Sequence, residues 1–132
     1  MQRTAECCCG QSTITVEGEP LFHGVCHCDN CKKRTGSAFG ISTYFTKEQV
    51  VKSEGTTGRY RLHHEQLNHD QERCFCANCG TTLYWMISTM PDRIGIAGGC
   101  FIQQPLNEPT AVVSSSKQCA WVTLPEQWEV LS

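Results

Sequence analysis

The chain has 132 residues, a formal net charge of −2 and 18% charged residues. This length is typical of one domain, which buries roughly two-thirds of its unfolded surface, so we expect a single domain over residues 1–132. The charge lacks the basic excess that nucleic acids and acidic membranes attract, so neither is expected as a partner. Residues 1–6 lack the apolar core of a signal peptide, and no run approaches the ~18 apolar residues of a membrane span, so a cytoplasmic location is expected.

Short stretches rich in β-branched and aromatic residues alternate with turn signals, which is typical of a mainly β domain. The predicted strands are residues 12–17, 21–25, 41–45, 58–62, 82–87, 93–97, 111–114 and 121–124. A helix is predicted at residues 46–51, because Thr46 and Gln49 have the spacing of a capping box. A further helical turn is expected after Cys31. The polar segment 63–73 is predicted to be an exposed loop.

The chain contains eleven cysteines. Eight fall into three clusters, which are Cys7-Cys8-Cys9, Cys26-His27-Cys28-Asp29-Asn30-Cys31 and Cys76-Ala77-Asn78-Cys79. An odd cysteine count and an expected cytoplasmic location both argue against a disulfide framework. Thiolates spaced this closely are suited to binding a soft metal ion, and zinc is the expected one.

The first and last clusters together predict a closed, structural zinc site. In extended chain Cys7 and Cys9 point to one face, because side chains alternate along a strand. Cys76 and Cys79 precede Gly80, which can take the positive φ of a tight metal-binding turn. These four thiolates complete a tetrahedron. Cys8 should point away, and we expect it to be a small buried side chain.

The middle cluster supplies three ligands, Cys26, Cys28 and Cys31, and zinc with three protein ligands and an exchangeable position is typical of catalytic sites. A distant side chain could instead close the site; the candidates are Cys74, Cys100, Cys119 and a histidine. Cys74 repeats the spacing of the middle cluster relative to Cys76 and Cys79, which we interpret as chance. His27 is expected to face away from the metal, and His63, His64 and His69 to be solvated loop residues.

The charge of a zinc ion bound to Cys26, Cys28 and Cys31 limits the reactions that the ion can promote. Zinc with three thiolates carries a formal charge of −1, so it is a weaker Lewis acid than zinc on three histidines. It suits the binding of an external thiol, whose pKa would fall on the metal. A thiolate held beside a carbonyl carbon is arranged for addition.

The combined order of motifs resembles the glutathione-dependent formaldehyde-activating enzyme family, also called the centromere protein V/GFA domain. The matching segments are Cys7–Gly10, Cys26–Phe39 and Phe75–Leu83, and the resemblance covers nearly the whole chain. It implies a mainly β, Mss4-like fold of small antiparallel sheets around zinc, with little helix. It implies a structural zinc on Cys7, Cys9, Cys76 and Cys79, and a second zinc on Cys26, Cys28 and Cys31 that glutathione sulfur completes.

The family's activity is the condensation of glutathione with formaldehyde to S-hydroxymethylglutathione, formally that of a carbon–sulfur lyase. The resemblance implies two Zn²⁺ ions, glutathione as co-substrate and small-molecule thiol and aldehyde partners. Arg34, Thr35, Gly36 and Ser37 match the segment after the metal loop, so they are expected to line the pocket, with Ser37 donating a hydrogen bond to the substrate or capping a turn. The sequence departs from the family's pattern at Val112–Val113 and at Gly99–Ile102. These departures concern the identity of the substrate rather than the zinc sites.

Two other hypotheses remain open at the level of sequence. The chain could be a non-catalytic zinc-binding module that binds a partner protein, a use that other proteins make of the Mss4-like fold. It could also sense redox state through the cysteines left over from the metal sites, which are Cys8, Cys74, Cys100 and Cys119.

Overall fold

The computed structural model describes residues 1–131, which form eleven strands, one α-helix and three short 3-10 turns. The strands are β1 (Gln2–Glu6), β2 (Thr13–Glu17), β3 (Phe22–Cys26), β4 (Gly40–Thr46), β5 (Val50–Glu54), β6 (Thr57–His64), β7 (His69–Cys76), β8 (Thr82–Ile87), β9 (Arg93–Ala97), β10 (Ala111–Val113) and β11 (Glu129–Leu131). The helix α1 is Asp29–Thr35, and the 3-10 turns are Lys47–Gln49, Gly98–Cys100 and Ser115–Lys117. The prediction of a mainly β fold with little helix is confirmed.

The strands form two sheets. The smaller has the order β1-β2-β5, and the larger has the order β11-β10-β3-β4-β9-β8-β7-β6. Most pairings are antiparallel, but β10 runs parallel to both of its neighbours, β3 and β11. Val113 of β10 lies opposite Cys26, and its carbonyl accepts a hydrogen bond from the His27 N–H at 3.0 Å. The strand that leads into the middle cysteine cluster is therefore held by a segment from much later in the chain.

The main hydrophobic core contains side chains from both sheets. Its buried members are Ala5, Ile14, Val16, Phe45, Leu83, Ile94, Ile96 and Phe101. Because neighbouring residues of a strand face opposite sides, Phe45 enters this core while Tyr44 packs with Trp85 in a second cluster. The centre of the larger sheet thus has one face in the core and an aromatic opposite face.

The helix predicted at residues 46–51 is wrong in extent. Its capping interaction exists, since the Thr46 N–H donates to the Gln49 carboxamide oxygen at 2.9 Å, but only one 3-10 turn follows. The Gln49 amide nitrogen also donates to the Glu17 and Glu19 carbonyls, which ties the turn to the chain after β2. Val50 then opens β5 because β-branched residues favour extended chain, and it pairs with Val16.

The loop predicted at residues 63–73 is also wrong, because β6 and β7 form a long hairpin there. Arg59 and Arg61 of β6 pair with Glu72 of β7, and such cross-strand ion pairs stabilise strands that have few apolar residues. His64 and His69 face each other at the end of the hairpin with ring centroids 5.4 Å apart, and both are buried rather than solvated.

Residues 121–124, predicted as a strand, belong instead to an irregular segment whose first turn is closed by the Val122 N–H and the Cys119 carbonyl. The last described strand is β11. Sequence patterns did not predict β1, β5, β7 or β11. Among residues 1–131, none of the helical segments has the length and apolar character needed to cross a membrane.

Candidate metal centres and an adjoining pocket

Within the described chain, two groups of cysteine side chains have sulfur atoms that all lie within 4.8 Å of one another. The first group is Cys7, Cys9, Cys76 and Cys79, and the second is Cys26, Cys28 and Cys31. These are the seven cysteines that the sequence pointed to as ligands. Cys74 is in neither group and is fully buried on β7, whereas Cys8 is exposed, which corrects the expectation of a buried side chain.

The first group joins the end of β1 to the turn between β7 and β8. The Cys7 and Cys9 sulfurs are 3.6 Å apart, and those of Cys9 and Cys76 are 3.8 Å apart. Tetrahedral zinc with bonds of about 2.3 Å requires sulfurs about 3.8 Å apart, so this group has the dimensions of a closed zinc site. Gly10 and Gly80 take positive φ, 80° and 81°, where the chain turns after each ligand pair.

Hydrogen bonds to two sulfurs of this group favour the thiolate state that a metal requires, while burial raises the pKa of Cys7. The Ser12 N–H donates to the Cys7 sulfur at 3.2 Å. The Thr81 hydroxyl accepts from the Cys8 N–H at 3.0 Å, which leaves its proton to donate to the Cys79 sulfur at 3.2 Å. The hydroxyl and backbone N–H of Thr81 lower the pKa of Cys79 to about 5.

The second group lies where β3 passes into α1. Cys26 ends β3, Cys28 is the N-cap of α1, and Cys31 lies in its first turn. The Cys31 N–H donates to the Cys28 sulfur at 3.3 Å. Hydrogen bonds from the Cys26 and Cys31 thiols, and then from this N–H, lower the pKa of Cys28. Three sulfurs at this spacing leave one position of a tetrahedral ion without a ligand from the group.

His64 supports the second group from the far end of the β6–β7 hairpin. Its Nδ1 atom accepts a hydrogen bond from the Leu67 N–H at 3.1 Å, so the ring proton is on Nε2. Nε2 lies 3.5 Å from the Cys28 sulfur and donates to it. This hydrogen bond fixes the position of the Cys28 sulfur, and bonds of this kind have large effects on metal affinity where the sulfur is a ligand. No spacing in the sequence connects His64 with Cys28.

A pocket of about 390 Å³ opens beside Cys26 and Cys31. Arg34 lies at its edge with its guanidinium carbon 4.5 Å from the centre of the Trp85 ring. The Arg34 Nη2 atom is buried and has no hydrogen-bond partner among residues 1–131. Gly40 makes room for it, since a Cβ at that position would lie 2.5 Å from Nη2. A buried N–H without a partner beside an incomplete thiolate cluster is suited to an anionic ligand.

Two further polar groups line the pocket. The Trp85 Nε1–H donates to the Tyr44 hydroxyl oxygen at 3.1 Å, so the Tyr44 proton is free to donate elsewhere. Burial raises the pKa of Tyr44, which keeps this proton in place at neutral pH. Arg73 is buried, and its guanidinium donates to Asn30 and Gln71, both neutral.

The structure separates the predicted pocket residues that follow Cys31. Arg34 lines the pocket just described. Thr35 donates to the Cys31 carbonyl at 2.9 Å, and Gly36 ends α1 with φ of 63°. Thr35 and Ser37 line a different pocket, together with Cys8, Cys100 and one side of Arg34. The turn at Gly36 therefore directs this segment away from Cys26 and Cys31.

Comparison with known proteins shows which family and which fold the chain resembles. No curated protein sequence matches it. A crystal structure of a Rhodobacter sphaeroides protein is similar, with 19% sequence identity and a TM-score of 0.58 over 79% of this chain and 90% of that one, a likeness of fold. Residues 2–116 match the family described as glutathione-dependent formaldehyde-activating enzyme. Since this match spans most of the 132 residues, the chain belongs to that family.

Proposed function

We propose that the protein is a zinc-dependent enzyme of carbon–sulfur lyase type that joins a small-molecule thiol to a small aldehyde. Glutathione and formaldehyde, named in the family's description, are the first pair to test, with S-hydroxymethylglutathione as product. The observation that carries the proposal is the three-sulfur group Cys26, Cys28 and Cys31, which faces a pocket where Arg34 has a buried, unpaired N–H. The proposal includes a reducing compartment such as the cytoplasm, since thiolate ligands require reduced cysteines.

Cys26, Cys28 and Cys31 would hold a zinc ion, and that ion would accept an external thiol and lower the pKa of that thiol. The reaction is an addition, in which the sulfur forms a bond to the carbonyl carbon and the C=O π electrons move to the oxygen. That oxygen takes up a proton, which balances the one lost by the thiol. In this proposal Arg34 donates a hydrogen bond to the bound thiolate, and Tyr44 donates one to the developing oxyanion, contributions that are strong in a water-poor pocket.

The first sulfur group serves a structural role in this proposal. It joins β1 to the β7–β8 turn, so metal binding there is coupled to folding. Zinc on Cys7, Cys9, Cys76 and Cys79 has four protein ligands and offers no position for substrate.

The test begins with metal content. We expect two metal ions per wild-type chain. The Cys31→Ser variant should hold one, bound at the first group of cysteines. Cobalt(II) at the second site should show a sulfur-to-metal charge-transfer band that grows when glutathione is added. With ¹³C-formaldehyde as substrate, ¹³C NMR should show the glutathione adduct forming faster in the presence of the enzyme than in its absence. One tightly held metal and no response to thiols would sink the enzyme hypothesis and favour a module that binds a partner protein.

A further inference from the structure

The pocket beside Cys26 and Cys31 is much larger than formaldehyde and its walls are mostly apolar. Away from the cysteines its lining includes Phe22, Tyr44, Trp85, Ile87 and Met90. A pocket of about 390 Å³ lies in the size range of sites that enclose an organic ligand with apolar groups. The apolar lining therefore indicates that the ligand has an apolar part in addition to its reacting atom.

Positive charge exceeds negative charge around this pocket. Arg34, Arg73 and Arg93 line it, and its lining within the described chain contains no aspartate or glutamate. Three thiolates on a divalent ion leave a single negative charge against these three arginines. An external thiolate would offset one more. A further acid group on the ligand would offset the third by a charge-assisted hydrogen bond to Arg93, which is half-buried.

Arg93 lies at the end of the pocket away from the cysteines. It pairs with Thr46 at the far end of β4, whereas Gly40 at the near end contacts the Cys31 and Arg34 side chains. Ser42 lines the pocket two residues after Gly40, and Thr46 pairs with Arg93, so about 13 Å of β4 separates the sulfur end of the pocket from the Arg93 end. The Tyr44 ring lies between these ends, with its hydroxyl hydrogen-bonded to Trp85 and its apolar faces beside Phe22 and Trp85. Arg93 makes no ion pair within residues 1–131.

We propose that this pocket selects a thiol with an apolar body of about the size of a phenyl ring and a carboxylate at the end away from the sulfur. The inference rests on the proposed function, since it needs the second metal site to accept an external thiol. Glutathione carries polar groups along its whole length, and burying these against Phe22, Tyr44 and Ile87 would leave hydrogen bonds unmade. The pocket therefore favours an aromatic mercapto acid over glutathione.

The experiment compares five thiols on the cobalt(II)-loaded protein through the charge-transfer band. The probes are 2-mercaptoethanol, mercaptoacetate, benzyl mercaptan, 4-(mercaptomethyl)benzoate and glutathione. We expect 4-(mercaptomethyl)benzoate to bind at least about tenfold more tightly than each of the others, since it alone offers both an aromatic body to the apolar lining and a carboxylate to Arg93. Arg93→Met should remove its advantage over benzyl mercaptan, and Arg93→Lys should restore part of it.

The matched control is Arg61→Met, because Arg61 is exposed on the β6–β7 hairpin and lies outside this pocket. It should leave the order of affinities unchanged. Equal affinities for all five thiols, or tightest binding of glutathione, would overturn this inference while the proposed function stands. Failure of every thiol to bind would overturn the proposed function and this inference together.

Discussion

Substitution of Gly40 by alanine should displace the Arg34 guanidinium without rebuilding the metal site. The new methyl carbon would lie 2.5 Å from the Arg34 Nη2 atom and 3.2 Å from the Cys31 Cβ atom. The first distance is too short to persist, and the atom that can move is the far end of a flexible side chain. Arg34 therefore leaves its place over Trp85 and the Cys31 side chain shifts by a few tenths of an ångström, while the backbone of β4 stays in register.

Two magnitudes follow from this displacement. A lost hydrogen bond from Arg34 to a bound thiolate costs about 1.5–3 kcal/mol, which weakens thiol affinity about 10- to 150-fold. The strain and the lost contact with Trp85 cost about 1 kcal/mol of folding free energy. For a chain of this size that lowers Tm by about 3–5 °C. The effect on binding should thus exceed the effect on stability.

The assay is a glutathione titration of the cobalt(II)-loaded protein, accompanied by thermal unfolding. Gly99→Ala is the matched control, because a Cβ there meets no atom within 4 Å and its φ is ordinary. It should change neither quantity by much. If Gly40→Ala lowers Tm but leaves thiol affinity at the wild-type value, the role assigned to the unpaired Arg34 nitrogen is refuted.

Three further predictions concern the metal sites and pH. Cys76→Ser should abolish most of the cooperative thermal unfolding transition, because the four-sulfur group links distant strands, whereas Cys31→Ser should keep this transition. An equal loss of the transition in both variants would contradict a structural role for the first group and a substrate-binding role for the second. His64→Phe should weaken the second metal about 10- to 100-fold in chelator competition and spare the first. Arg3 lowers the pKa of Glu19 below its usual 4.5 by hydrogen bonding, so their pairing stabilises the fold above that pH and is lost as pH falls through the lowered value. Glu19→Gln should therefore show a smaller loss of Tm than wild type between pH 6 and pH 3, and an identical loss would show that the pair contributes nothing.

The ligands within each cysteine cluster were predictable because their spacing is local. Cys7 and Cys9 converge through a turn after β1, closed by the Gly10 N–H and the Cys7 carbonyl, and not through the strand alternation that was predicted. A glycine after Cys79 allows the turn that closes the second pair. The joining of these two pairs into one group depends on strand pairing, and it was predicted from the number of ligands and from the family resemblance. The strands with clear alternation, such as β2 and β8, were predictable because that pattern is local as well.

The pocket was not predictable, because strand pairing assembles it. The β6–β7 hairpin brings His64 to Cys28. The polar composition of this hairpin led to the prediction of a loop. Tyr44 and Trp85 meet across β9 because both lie opposite Gly95, where a side chain would collide with the Trp85 ring. Adjacency in sequence was misleading as well, since Ser37 follows Cys31 closely yet lines another pocket after the turn at Gly36.

The parallel pairing of β10 with β3 has a consequence during synthesis on the ribosome. The four-sulfur site can close once Cys79 has left the exit tunnel, but β3 lacks its outer neighbour until Ala111–Val113 emerge. Until then β3 is a sheet edge next to Cys26, exposed to pairing with other chains. The order of emergence thus favours metal binding at the four-sulfur group first, and the cysteines that line the pocket acquire their final support late.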